Sequence, residues 1–190
     1  MRSRDLEAEL FSGADRVRQP HLDRLGALGV TPAAVAALNR DWPAFGVVEA
    51  EVGTDGLFTP GGGLVHIVMP VVDGGALIDL VAWRSDNPLR WWLRTGLGWL
   101  LNADPCLASR WDAQHLTLHS SPLDWLRACD QGAWEAGGVV LDFDAPDLAA
   151  LRNYDTIVCS DERVTALLKR TLAKPSRLPA ILTKEVRDAA

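Results

Sequence analysis

The stretch LVHIVMPVVDGGALIDLVAWRSDNPLRWWLRTG, residues 64–96, decides what kind of chain this is. Its first half holds two runs rich in Val, Ile and Leu, joined by Asp73-Gly74-Gly75. Two-residue hairpin turns need positive φ at their centre, which glycine adopts at no steric cost, so residues 64–84 read as a β-hairpin. Upstream, GVVEAEV (46–52) is another β-rich run, and the clusters GTDG (53–56) and TPGGG (59–63) are turn signals. Together these make a short antiparallel meander. The three glycines at 61–63 lack the Lys-Ser/Thr of a phosphate-binding loop and precede a strand, so they read as a turn.

The end of the stretch is ambiguous. Residues 88–102 suit either a helix or a strand followed by a helix. On a helix over 90–101, Trp92 and Trp99 lie on neighbouring faces, with Leu93, Leu97 and Leu100 near them. Trp91 and Trp92 cannot point the same way. Trp99 and one of that pair are therefore expected in the core, where the segment joins two sheet regions. The other tryptophan, with Arg90 and Arg94, is left for a surface. Aromatics beside arginines are what single-strand binders stack bases on, and they are also common at protein interfaces. Arg90, Trp91, Trp92 and Arg94 are thus the candidate contact surface.

Residues 1–45 read as helical. In TPAAVAALNRDW, Thr31 is placed to cap and Pro32 takes the first helical position, where its missing N–H costs nothing. QPHLDRLGALG spaces Leu22, Leu25 and Leu28 helically, and Gly29 is placed to close the turn. Beyond residue 105 the rhythm changes. HLTLHS, GGVVLDF and DTIVCS read as strands, each followed by a helix: SPLDWLRAC with Ser121 as cap, APDLAALRNY, and DERVTALLKRTLA. Three such units predict a small parallel βαβαβα sheet.

Ligands of open α/β sheets favour the crevice at the carboxyl ends of the strands. There the sequence puts His119, Ser120 and Ser121, then Asp142 and Asp144, then Ser160, Asp161 and Glu162. Asp and Ser in such places commonly cap the next helix, which is the first expectation. The alternative is that Asp142, Asp144, Asp161 and Glu162 gather around Mg²⁺, which takes hard oxygen ligands. His115 and His119 are four residues apart but lie on one face of a strand, and His66 belongs to a different strand, so a satisfied or partly exposed pair is expected before a zinc site. Cys159 lies in an apolar strand and reads as core. Cys129, followed by Asp130, lacks the cationic neighbours that activate a thiol.

The order of elements, with LTLHSSPLDWLRA and TIVCSDERVTALLKRTL at its two ends, resembles the Toprim domain, the catalytic module of bacterial primases and type IA topoisomerases. The preceding meander is similar in pattern to that of phage-type primases. The resemblance covers about half the chain. Asp124, on the first helix, agrees with the family pattern. The family's Glu-Gly pair falls at His119 or Ser120 with no glycine, and its late Asp-x-Asp falls at Ser-Asp161-Glu162-Arg. The chain's own Asp-x-Asp, Asp142 and Asp144, follows the second strand instead. The resemblance, with these departures, implies a module of bacterial or prophage type that has lost catalysis.

The bulk numbers set outer limits. A chain of 190 residues with eight tryptophans and 48% hydrophobic residues can build a core without staples. A net charge of −6 argues against a surface that grips nucleic acid everywhere. Even so, Lys169, Arg170, Lys174, Arg177, Lys184 and Arg187 make the end basic. The three cysteines form no CxxC pair, and no run approaches the ~20 apolar residues of a membrane span. A cytoplasmic protein with reduced thiols is therefore expected.

The reading is a mixed α/β chain (α+β overall). It has a helical segment over 1–45, a meander with its Trp-rich connection over 46–104, a Toprim-like half over 105–175 and a basic tail over 176–190, sharing one core. The expected function is a non-catalytic primase-like module acting through protein or nucleic-acid contacts, with no cofactor and no membrane partner. The alternatives are a Mg²⁺-dependent phosphoryl-transfer or nuclease-type enzyme, with His119, Asp124, Asp142, Asp144, Asp161 and Glu162 as candidates, and a homo-oligomer.

Overall fold

The computed structural model describes residues 5–108, 115–131 and 137–173, so the expected basic tail at 176–190 lies outside the described residues. The chain is a mixed α/β fold. Three short helices open it: α1 (Leu6–Ala14), α2 (Gln19–Ala27) and α3 (Pro32–Leu38). The first and third have starts set by side chains. Asp5 accepts the Ala8 amide, and Thr31 accepts the Ala34 amide ahead of Pro32, as the sequence predicts for Thr31.

The meander then forms β1 (Gly46–Val52), β2 (Phe58–Pro60), β3 (Leu64–Asp73), β4 (Ala76–Arg84) and β5 (Asn87–Leu93), in the sheet order β2-β1-β3-β4-β5. The hairpin between β3 and β4 turns on Gly74 and Gly75, whose φ values are 60° and 78°. Positive φ at both positions suits the tight turn that matches strand twist. Helix α4 (Ala103–Ala108) fastens that turn: the Asp104 carboxylate accepts the amides of both glycines, at 2.6 and 2.8 Å.

The sheet curls back on itself. Leu57, just ahead of β2, bridges Leu93 of β5, and the Leu93 amide donates to Gly56 O at 3.0 Å. Strand residues alternate between the two faces, so the inside of the curl takes Ala50, Val68, Leu80, Ala82 and Trp92 with Phe58. Leu10 of α1 packs among them. The outside presents Val47, Ile67, Val81, Trp83 and Leu93 to a second core shared with Leu25, Ala34 and Trp125.

Residues 88–102 contain no helix. Trp91 and Trp92 continue the ladder, opposite Trp83 and Ala82 of β4, and aromatic residues suit a pleated surface. Pro88 is tolerated because β5 ends the ladder, where a missing donor is least costly. A helix cannot follow, because the amides it would turn inward are taken. Those of Arg94, Thr95, Leu97 and Gly98 donate to the Asp79 carboxylate, at 2.8–2.9 Å, as does that of Leu80 at 2.7 Å. Asp79 has no exposed surface, and these five bonds are what make a buried carboxylate tolerable there.

The chain passes straight into the second sheet. β6 (Leu100–Leu101) pairs antiparallel with β8 (Val139–Val140), and β7 (His115–Leu118) pairs parallel with β9 (Thr156–Cys159). Gly138 bonds to Thr117 and His119 across the gap, so β8 lies alongside β7 and the three late strands run parallel. Helix α5 (Pro122–Ala128) follows β7 and α6 (Glu162–Leu172) follows β9, whereas the segment after β8 is a 3₁₀ helix, Pro146–Asn153. A third core fills this half, around Leu116, Leu118, Val140, Leu148, Leu151 and Leu168. Cys159 is only partly buried, since β9 is an edge strand whose Val158 is exposed. Among the described residues no helix is long and apolar enough to cross a membrane.

Candidate ligand site at the mouth of the curled sheet

Of the strand-end residues of the small sheet, Ser121, Asp142 and Asp161 accept backbone amides from the segments they begin. Asp161 accepts the Val164 amide at 2.8 Å and caps α6, with Glu162 exposed beside it. Asp142 accepts the Asp144 amide at 2.8 Å in a local turn. Ser121 caps α5, while the Ser120 and Ser121 hydroxyls both donate to Asp124, at 2.6 and 2.7 Å, and Arg127 donates to its other oxygen at 2.9 Å. Partial burial raises the Asp124 carboxyl pKa, but the two hydroxyls and Arg127 outweigh it and hold the group below its ordinary value. The His119 side chain is half-buried, and its amide donates to Gly138 O. Among the described residues no three His, Cys, Asp or Glu side chains come close enough together to hold a metal ion. Burial pushes the Cys106 and Cys129 thiols up to about 12, so neither carries thiolate near neutral pH.

The sheet divides the quartet Arg90, Trp91, Trp92 and Arg94. Trp91 faces the outer core, and its indole N–H donates to Leu141 O at 3.2 Å, tying β5 to the segment after β8. Trp99 makes a parallel tie, donating to Asp73 at 3.0 Å and accepting the Leu141 amide at 2.8 Å. Arg94 is buried and grips Glu9 of α1 with two bonds, 2.7 and 2.9 Å, closing the end of the curl where α1 sits. Of the four, Arg90 and Trp92 face the opposite, open end.

That open end is a pocket of about 510 Å³. Its wall is made by the end of β1 (Ala50–Val52), Gly63 with the start of β3 (Leu64, His66), the end of β4 (Arg84) and β5 (Asn87, Arg90, Trp92). Gly63 is required: its φ is 80°, and a Cβ there would collide with Ala50 O. The Arg90 guanidinium lies over the Trp92 ring, 5.1 Å from its centre, a cation–π placement. Among the described residues no carboxylate pairs with Arg90. Arg84 reaches the exposed Asp86. Barrel mouths with a few convergent polar groups are favoured ligand sites.

His66 is the group that sequence reasoning undervalues. It is 1% exposed, stands edge-on to Trp92 with ring centres 5.5 Å apart, and approaches Leu64 O through Nδ1 at 2.7 Å. A carbonyl can only accept, so Nδ1 carries the proton and the neutral ring leaves Nε2 as an acceptor. Nε2 is the one buried side-chain nitrogen or oxygen without a hydrogen-bond partner among the described residues. Such a group costs about 1–3 kcal/mol. Burial pulls the imidazole pKa down. The Leu64 bond and Asp86 oppose that pull, and Arg84 adds to it, so the ring is neutral near neutral pH. The signal in the sequence is a histidine two residues from Val68 in an alternating strand, which assigns it to the same face.

Comparison of the chain with family models, with curated proteins and with solved structures finds no match.

Proposed function

We propose that the protein is a non-catalytic module of the primase-like kind that contacts single-stranded nucleic acid at the mouth of its curled sheet. The observation that carries this reading is the Arg90 guanidinium over Trp92 at the rim of a pocket that Arg84 also lines. Phosphate is held by arginine, and single-strand binders combine a cationic groove with aromatic rings. The local charge matters more than the net −6, because exposed charges beyond about 10 Å are screened at moderate salt. The primase-like part of the reading is supported by the three parallel strands β8, β7 and β9, each followed by a helical segment.

The test is fluorescence anisotropy of a labelled single-stranded oligodeoxynucleotide titrated with the full chain over a range of salt. Binding should weaken steeply as salt rises. Arg90→Ala and Arg84→Ala should each weaken it about tenfold and reduce the salt slope by roughly one. Absence of binding at low salt, or parent-like binding by both variants, would overturn the reading.

A further inference from the structure

His66 Nε2 narrows what enters the pocket. The bond from Nδ1 to Leu64 O fixes the tautomer, so Nε2, the other nitrogen of a side chain that lines the pocket, offers a lone pair and asks for an N–H or O–H. The charged groups around it come from three elements: Glu51 at the end of β1, Arg84 and Asp86 at the end of β4 and its turn, and Arg90 on β5. A bare anion satisfies Arg84 and Arg90 but is repelled by Glu51 and offers nothing to Nε2. A bare cation or an apolar group leaves the arginines unmatched.

We infer that the pocket takes a single nucleotide unit of the strand, its phosphate against Arg84 and Arg90 and an N–H or O–H of its base or sugar on His66 Nε2. This assignment rests on the nucleic-acid reading above and adds the part of the ligand that is read. The unit supplies the donor that no protein group among the described residues supplies. The pocket volume of about 510 Å³ is that of an ordinary small-molecule site, which fits one such unit and not a folded strand.

The test compares two probes, a short single-stranded oligodeoxynucleotide and sulfate, on the full chain and on His66→Phe and His66→Gln. Phenylalanine keeps the ring against Trp92 and removes the acceptor, and glutamine restores an acceptor oxygen. Expected are about a tenfold loss of oligonucleotide affinity in His66→Phe, partial recovery in His66→Gln and sulfate binding unchanged in both. In the parent, the unprotonated Nε2 signal in ¹⁵N NMR should shift with oligonucleotide and not with sulfate. Equal loss of both probes in His66→Phe would show a purely structural role and overturn the assignment. So would parent-like oligonucleotide binding, which would mean that water meets Nε2. If Arg90→Ala weakens the oligonucleotide while His66→Phe does not, the nucleic-acid reading stands and the nucleotide assignment falls. If the parent binds no oligonucleotide, both fall.

Discussion

At the carboxyl edge of the small sheet, Asp161 accepts the Val164 amide, Asp142 accepts the Asp144 amide, and Asp124 takes two serine hydroxyls and an arginine. At the mouth of the curled sheet, among the described residues, His66 Nε2 has no partner and Arg90 rests on a ring without a carboxylate paired to it. The first region uses its polar groups to start helices and hold loops, the work that most buried or half-buried polar groups do. The second keeps polar groups in reserve at a concave wall. A ligand competes poorly for an oxygen that already holds a backbone amide, and well for a nitrogen that holds nothing. Polar residues near a strand end are therefore weaker evidence for a site than polar residues the fold has left unsatisfied.

The contrast has a structural pivot, and breaking it should give the largest effect. Asp79 collects five amides, four of them from the loop that carries the chain from the curled sheet to the small one. Asp79→Ala removes the acceptor that these five amides share, although those of Arg94 and Leu97 also reach Leu80 O and Thr95 Oγ1, and should cost more than about 3 kcal/mol in urea unfolding, with Asp79→Asn in between. A loss below about 1 kcal/mol would mean that the 94–98 loop is held by packing alone, and the two sheets would not be joined in the way described.

Asp79 also shows where the sequence stops being readable. The β-hairpin, the glycine turns and the caps at Thr31, Ser121 and Asp161 follow from local rules, and each is present in the fold. The segment after Arg90 is ambiguous because a short apolar run fits a helix and a strand equally. What decides it is a carboxylate far back in β4 and a set of backbone amides, and amides carry no mark in a sequence. The curl is hidden for a similar reason, since it depends on Leu57 meeting Leu93. Alternation puts His66 on the face of Val68, yet the sequence does not say that α1 covers only one end of that face. The sequence separates Trp91 from Trp92, as the strand does, but it does not say which core each faces or that Glu9 occupies Arg94.

A smaller effect checks the capping side of the comparison. Asp161→Ala removes the acceptor for the Val164 amide at the start of α6 and should cost about 1 kcal/mol. Oligonucleotide affinity should not change. If the variant lost affinity at unchanged stability, the carboxyl edge would be the working surface and the comparison would be reversed.

The smallest effect is confined to acid. The Asp124 carboxyl pKa is held below its ordinary 3.8 in the folded chain, while in the unfolded chain it returns to about that value. A depressed folded value means that the ionised group contributes stability above pH 3.8, and that this contribution fades as pH falls through the lower folded value. Asp124→Asn removes the charge that the two serines and Arg127 satisfy. The difference in urea midpoint between parent and variant should therefore be flat near neutral pH and shrink only below pH 3.8. A difference that persists unchanged to about pH 2 would show that the amide disturbs packing and not charge. A difference that fades well above pH 3.8 would mean the carboxyl is not held low. In that case the serines and Arg127 would be free to serve something other than the fold, and the small sheet would regain a claim to be a site.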